Sequence, residues 1–202
     1  RATYLFTLLK LEDDAWRWLG LLPYFRKPKP MKCITLVWSL PLYPYRKLNI
    51  DGSSLGNPGC SGKGGIVRDH HGQVRGAFSS FYGFCMNMES ETRTLLEGLQ
   101  LCFSLGMVKV IVHMDSEQLL NSVKWIDATP WKLDVHICRI RQLLTQADFV
   151  LEHCYREANS AADVLVKQAA TTWQSEVYSA ATLPKRVKGI AQLDAVSTLI
   201  FV

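Results

Sequence analysis

The sequence predicts an α/β fold: a mixed five-stranded sheet, an antiparallel meander followed by parallel strands, with helices packed against it. Three observations lead there. Three strand-like runs follow one another from residue 46, separated by turn residues. From residue 90 onward, runs with helical spacing alternate with two further strand-like runs. Consecutive strands joined by tight turns pair antiparallel, whereas strand-helix-strand units add parallel neighbours.

RKLNID (46–51) is the first strand. It leads into DGSSLGNPG (51–59), where Gly52, Gly56 and Gly59 permit positive φ and Asn57-Pro58 starts a turn. The strand is therefore expected to end at its aspartate. KGGIVRD (63–69) and QVRGAFSSFYG (73–83) are the next two strands, joined by the turn His70-His71-Gly72. Residues 90–105 carry Leu96, Leu99 and Phe103 at helical spacing and stop at Gly106, a natural C-cap. VKVIVHM (108–114) is a buried-strand run. Residues 116–126 make a helix with Leu119, Leu120, Val123 and Ile126 on one face. Leu133, Ile137, Ile140 and Leu144 mark another helix, and DFVLEHC (148–154) the fifth strand. Ala161, Ala162, Leu165, Val166 and Ala169 mark a last helix that Asn159 could cap. Residues 1–45, basic and proline-containing, and residues 171–202 have weaker patterns and are read as flanks of a 46–170 domain.

Composition narrows the class. A hydrophobic content of 48% with 20% charged residues suits a globular protein. No apolar run reaches the roughly 18 residues of a membrane span, since Pro41 and Pro44 break CITLVWSLPLYPY (33–45). No membrane partner is expected. The six cysteines are scattered without a C-x-x-C pair, which argues for reduced thiols in an intracellular protein and against zinc. Beginning at Arg1, the chain is expected to be a piece of a longer one, and a monomer. Residues 1–47 hold nine Lys/Arg against three acids, while residues 48–170 hold eleven against thirteen. A basic flank suits nucleic acid or an anionic surface alike, and an acidic centre suggests carboxylates that a cation would neutralise.

Four acids stand out. Taken singly, Asp51 could open a turn, Glu91 favours a helix start, Asp115 could cap a helix with Gln118, and Asp163 lies in a first helical turn. Taken together, Asp51 and Asp115 end strands expected to run parallel, the edge where α/β sheets build sites, and Glu91 and Asp163 come from helices that reach it. Acids gathered without basic partners repel one another unless a hard divalent cation sits among them. Oxygen-rich sites of this kind suit Mg²⁺ or Mn²⁺.

The stretches LNIDGSSLGNPG (48–59), GGIVRDHHG (64–72), MNMESETRTLLEGL (86–99), VIVHMDS (110–116) and HCYREANSAADVLVK (153–167) together resemble the type 1 ribonuclease H domain, in the form common in plant retroelement-derived proteins. Trp38 and the prolines before Lys47 resemble the flanks of such domains. The resemblance implies a ribonuclease H-like fold and hydrolysis of the RNA strand of RNA–DNA hybrids with two Mg²⁺ ions, Mn²⁺ being an alternative. It implies that Asp51, Glu91, Asp115 and Asp163 bind metal, with His153 as a fifth catalytic residue moving protons or releasing product. It places nucleic-acid contacts at Gly52, Ser53, Gly56, Asn57, Gly59, Asn87 and Asn159. Descent into a catalytically idle nucleic-acid-binding domain is the alternative.

Departures from the pattern are mild: Cys60 and Ser61 in the loop, Thr92 after Glu91, and Val166 in the last helix. Between residues 127 and 133 the chain has only DATPWKL, where some relatives carry an extra helix and a basic loop. Weak independent hybrid affinity is expected, with Arg26, Lys27, Lys29, Lys32, Arg46 and Lys47 as a compensating basic flank or a solvated linker. His113, two residues before Asp115, projects toward the acid's side, although a histidine satisfied within the sheet is the simpler reading.

Overall fold

The computed structural model describes residues 35–36, 38–196 and 200–201, all within the compact unit that begins at Thr35. Arg26, Lys27, Lys29 and Lys32 of the basic flank, and Cys33, lie outside the described residues. No described helix is long and apolar enough to cross a membrane.

The strands are β1 (Thr35–Leu36), β2 (Arg46–Leu55), β3 (Gly59–Arg68), β4 (Val74–Cys85), β5 (Lys109–Met114), β6 (Asp148–His153), β7 (Glu176–Tyr178) and β8 (Ile200–Phe201). The helices are α1 (Asn87–Ser104), α2 (Glu117–Val123), α3 (Asp134–Leu144), α4 (Ser160–Thr172) and α5 (Lys185–Ala195). The main sheet has the order β6-β5-β2-β3-β4-β7, and β1 pairs with β8 apart from it. β2–β3, β3–β4 and β4–β7 are antiparallel, whereas β2–β5 and β5–β6 are parallel. The expected meander and parallel additions are thus present, with a sixth strand beyond the five expected. That strand, together with α5, comes from residues 171–202.

Strand alternation sends β2 side chains to opposite faces of the sheet. Leu48 and Ile50 face α1, and with Leu95, Leu99, Val112, Leu119, Ile137 and Ile140 they form the larger core. Asn49 and Asp51 face the other side. There Ile66, Ala77 and Tyr178 pack against Ala161 and Leu165 of α4 and Val187 and Ala191 of α5. α4 lies directly on β3 because Gly64 has no side chain: a Cβ there would come 2.7 Å from the Leu165 Cβ and 2.8 Å from the Val166 nitrogen.

Two helical readings change. The buried stripe of α1 is Leu95, Leu99 and Cys102, while Leu96 and Phe103 pack at its margin. α2 ends at Val123, so Ile126 leaves the apolar face and is 66% exposed.

Candidate active site

Asp51 lies in the middle of β2, paired with Gly64 of β3, and the strand continues four residues beyond it. The expectation that the strand ends at the acid is corrected here. The polar GSSL segment stays extended because β3 pairs with it and β4 and α1 supply further partners: Ser54 N–H donates to Asn87 Oδ1 (2.9 Å), and Ser54 Oγ donates to Cys85 O (2.7 Å). On its parallel side β2 pairs with β5 only as far as Asn49 opposite His113. Asp51 therefore sits just past the C-terminal edge of β5, which carries Asp115 one residue after its last strand residue.

Asp115 is not the helix cap expected of it. Ser116 is the N-cap of α2, accepting from Leu119 N–H at 3.4 Å, and Asp115 Oδ1 is buried without a partner. Glu91 enters from the first turns of α1, which lies hard against β2 at Gly52. A Cβ at Gly52 would fall 2.6 Å from the Glu91 nitrogen and 2.7 Å from its Cα. Gly52 is thus buried under the helix and is not a nucleic-acid contact, contrary to expectation.

Asp163, in the first turn of α4, accepts from Lys167 Nζ (2.6 Å) and from Arg156 (3.4 Å). The acids are therefore not without basic partners. Arg156, in the short 3-10 turn Arg156–Asn159, favours the charged forms of Asp51, Glu91 and Asp115 as well. Sequence reasoning passed over it, although its place between His153 and Asp163 was the available signal. His153, at the end of β6, is exposed, and its charge acts on Asp115. Asn159 is 2% exposed and donates to Ile50 O (2.7 Å) while accepting from Asn49 Nδ2 (3.0 Å). It can neither touch nucleic acid nor cap α4 with its side chain, because both ends of its amide are committed to β2.

Burial, then Asp115 and Asp163, push the Asp51 carboxyl up to about 7. Burial first, then Asp115 and Asp51, hold Glu91 well above the usual carboxylate range. Burial also raises Asp115. Mutual influence on this scale places the acids in one site. The orphaned Asp51 Oδ2 and Asp115 Oδ1 are hard oxygen donors without protein partners, which fits a divalent cation such as Mg²⁺ or Mn²⁺. The described residues contain no ready-spaced group of three His, Cys, Asp or Glu side chains, and Asp163 would have to exchange its bond to Lys167 or Arg156 to join such a set.

A pH signature follows. The folded state holds the Asp51 proton more tightly than the unfolded chain, where an aspartate titrates near about 3.9. The stability this contributes is complete below that value and is lost as pH rises through about 7. In EDTA, the Tm of the parent relative to Asp51→Asn should fall from about pH 4 to about pH 7.5, since His113, held low by burial, acts in the opposite sense in both proteins. Mg²⁺ should raise the parent's Tm more at pH 8 than at pH 5.5, because cation and proton compete for the same carboxylates. Thermal melts across this range check it. A metal shift independent of pH would dissociate the cation from these acids.

Beside the acids, the β2–β3 turn is tied to the start of α1. Asn57 Oδ1 accepts from Asn87 N–H (2.8 Å), and Asn87 Oδ1 accepts from Ser54. With one bond already made by each oxygen, both side chains keep their NH₂ groups to offer a ligand. A cleft of about 470 Å³ runs from Asn57 and Asn87 past Glu91 and Ser116 to Lys132. Gly56 is exposed at φ +106°, and Ser53 is half-buried on the Asp51 face. Gly59 is buried, its missing Cβ leaving room for the Leu55 carbonyl, so it closes the hairpin and contacts no ligand. In the basic flank, Lys47 is buried with Nζ donating to Ser39 O (2.7 Å), and Arg46 donates to Pro44 O (2.6 Å). Lys47 is thereby withdrawn from any phosphate. His113 bonds to Glu152 (3.1 Å) across β5 and β6, as a sheet histidine would.

This sheet order, with carboxylates gathered at the edge of β2 and β5, is the ribonuclease H fold class. The chain belongs to the Reverse transcriptase-like family, whose profile matches residues 49–169. It is 33% identical over 136 residues to a protein of Arabidopsis thaliana provisionally named a ribonuclease H protein, a match that covers 65% of this chain and 22% of the relative's own length. Among solved structures it resembles RNase H1 of the halophilic archaeon Halobacterium salinarum (25% identity, TM-score 0.61), covering 63% of this chain and 98% of that one. It also resembles the N-terminal RNase H domain of a Mycobacterium tuberculosis protein (27%, TM-score 0.60), covering 63% and 94% of the two chains. LC11-RNase H1, isolated from compost and solved with an RNA/DNA hybrid, matches at 25% identity and TM-score 0.60, covering 63% of this chain and 98% of that one.

Proposed function

We propose that the domain hydrolyses the RNA strand of RNA–DNA hybrids. The observation that carries this reading is the mutually repelling set of buried Asp51 and half-buried Glu91 and Asp115, with two partnerless carboxylate oxygens, opening beside the Asn57–Asn87 cleft. The LC11-RNase H1 complex shows a relative of this fold holding such a hybrid. In this chain the Asn57 and Asn87 amides would donate to minor-groove acceptors and 2′-hydroxyls, the groups that mark an RNA strand. Asp51, Glu91 and Asp115, joined by Asp163, would hold two Mg²⁺ ions. Bound there, the metal would supply an activated water and charge neutralisation at the departing oxygen. Water oxygen bonds to phosphorus as the bond to the 3′-oxygen breaks, leaving 5′-phosphate and 3′-hydroxyl ends. His153, exposed at the rim, would carry a proton to or from solvent.

The engagement of Asp163 by Lys167 and Arg156 favours a second reading, an idle domain that holds nucleic acid without cutting it. The deciding experiment is a gel assay on a labelled RNA–DNA hybrid, with single-stranded RNA, duplex RNA and duplex DNA alongside, in Mg²⁺, Mn²⁺ or EDTA. Metal-dependent cutting of the hybrid RNA alone is expected. A hybrid that shifts in a binding gel and stays intact would establish the second reading.

A further inference from the structure

Arg68, at the end of β3, is 1% exposed, although it carries a full charge. Burying a guanidinium is costly unless partners surround it, and its partners come from three parts of the chain. One nitrogen donates to Asp194 Oδ2 on α5 (2.5 Å), and the other to Asn49 Oδ1 on β2 (2.8 Å). Its flat face lies 3.7 Å from the centroid of the Trp38 ring. Trp38 Nε1 donates to the same Asn49 oxygen (2.9 Å). With two donors fixing that oxygen, the Asn49 amide has one orientation, and its Nδ2 donates to Asn159 Oδ1 (3.0 Å). Asn159 in turn donates to Ile50 O (2.7 Å), the carbonyl next to Asp51. The relay thus joins the backbone that carries Asp51 to the turn leading into Asp163.

We propose that Arg68 is a positioning residue for the acid site, acting through Asn49 and Asn159, and that Trp38 and Asp194 hold it in place. Both holders lie outside the family-matched residues 49–169, so the working domain extends from Trp38 to α5. This rests on reading the acid cluster as catalytic. The relay reaches Asp51 and Asp163 without touching Asn57 or Asn87. Its loss therefore disturbs turnover and spares hybrid binding.

The test uses the full chain with Trp38→Phe, which keeps an aromatic face and removes one N–H, and with Asp194→Asn. Steady-state cleavage of a labelled hybrid is combined with hydrogen exchange followed by peptide mass spectrometry. Each variant should lower kcat by about tenfold or more, as loss of an outer-shell partner does, with KM within about twofold. Exchange should quicken in peptides holding Ile50–Gly52 and Asn159–Asp163, and not in Val74–Cys85. Unchanged kcat with unchanged exchange, or exchange that rises evenly over the sheet, would overturn the proposal. Should the parent protein not cleave, the catalytic reading fails, and the exchange pattern still decides whether Arg68 fixes the acid-bearing backbone. Should Asp194→Asn fail to fold, Trp38→Phe carries the same comparison.

Discussion

Asp51→Asn should cut hybrid cleavage by more than about a hundredfold, the loss that changes in metal outer shells alone can reach, and yet make the metal-free protein more stable at pH 8. The two effects share one cause. The Asp51 carboxylate is 6% exposed, has a partnerless oxygen and faces other acids. An amide of the same shape removes a buried charge and lowers the repulsion felt by Glu91. Each kcal/mol gained raises Tm by about 2–4 °C for a chain of this size. The gain should vanish below about pH 4, where the parent's Asp51 is protonated in both states. Cleavage rates and EDTA melts of both proteins at several pH values measure it. A variant less stable than its parent at pH 8 would mean that Asp51 is held by favourable partners, and the burial argument would fail with it.

Gly52→Ala should damage both fold and rate. The added Cβ meets the Glu91 nitrogen at 2.6 Å and its Cα and the Ser90 carbonyl carbon at 2.7 Å, all of them backbone atoms that cannot swing aside. α1 is anchored nearby by Ser90 Oγ, which donates to Gly62 O (2.9 Å), so relief must come by lifting Glu91 off β2. Overpacking of this kind costs about 1–3 kcal/mol, and a shift of about 1 Å in a catalytic group can cost about a hundredfold in rate. Gly83→Ala is the matched control: Gly83 also requires a special backbone, at φ +82°, but a Cβ there meets nothing within 4 Å. Its expected loss is backbone strain alone, with cleavage intact. Equal rates for Gly52→Ala and its parent would separate Glu91 from the chemistry.

Local patterns carried much of the architecture. β-branched runs and helical spacing located the first five long strands and the four helices between residues 87 and 172. The four acids were legible because their residue types and neighbours were distinctive together. What escaped depended on contacts distant in sequence. β2 runs past Asp51 because Asn87 and Cys85 bond to Ser54, which no alternation in GSSL announces. α1 starts at Asn87 because Asn57, thirty residues earlier in number, receives its first N–H. Asn159 looks like a cap in a linear reading and is instead drawn to Ile50 and Asn49. β7 is three residues long, too short to show a period, and becomes a strand only because β4 offers it an edge.

That short strand has a consequence for anyone cutting the chain. β4 is twelve residues long, and β7 meets it at Ala77, Phe78 and Ser79, with Ser175 Oγ accepting from the Phe81 N–H just beyond (3.0 Å). A fragment ending near residue 170 would leave this row of amides and carbonyls open, and would strip Tyr178, Val187 and Ala191 from the apolar surface behind it. Open edges of that length recruit other strands. A domain trimmed to the family match should therefore self-associate and precipitate where the longer chain stays dispersed. In the longer chain, β7 shields that stretch of β4 from other copies.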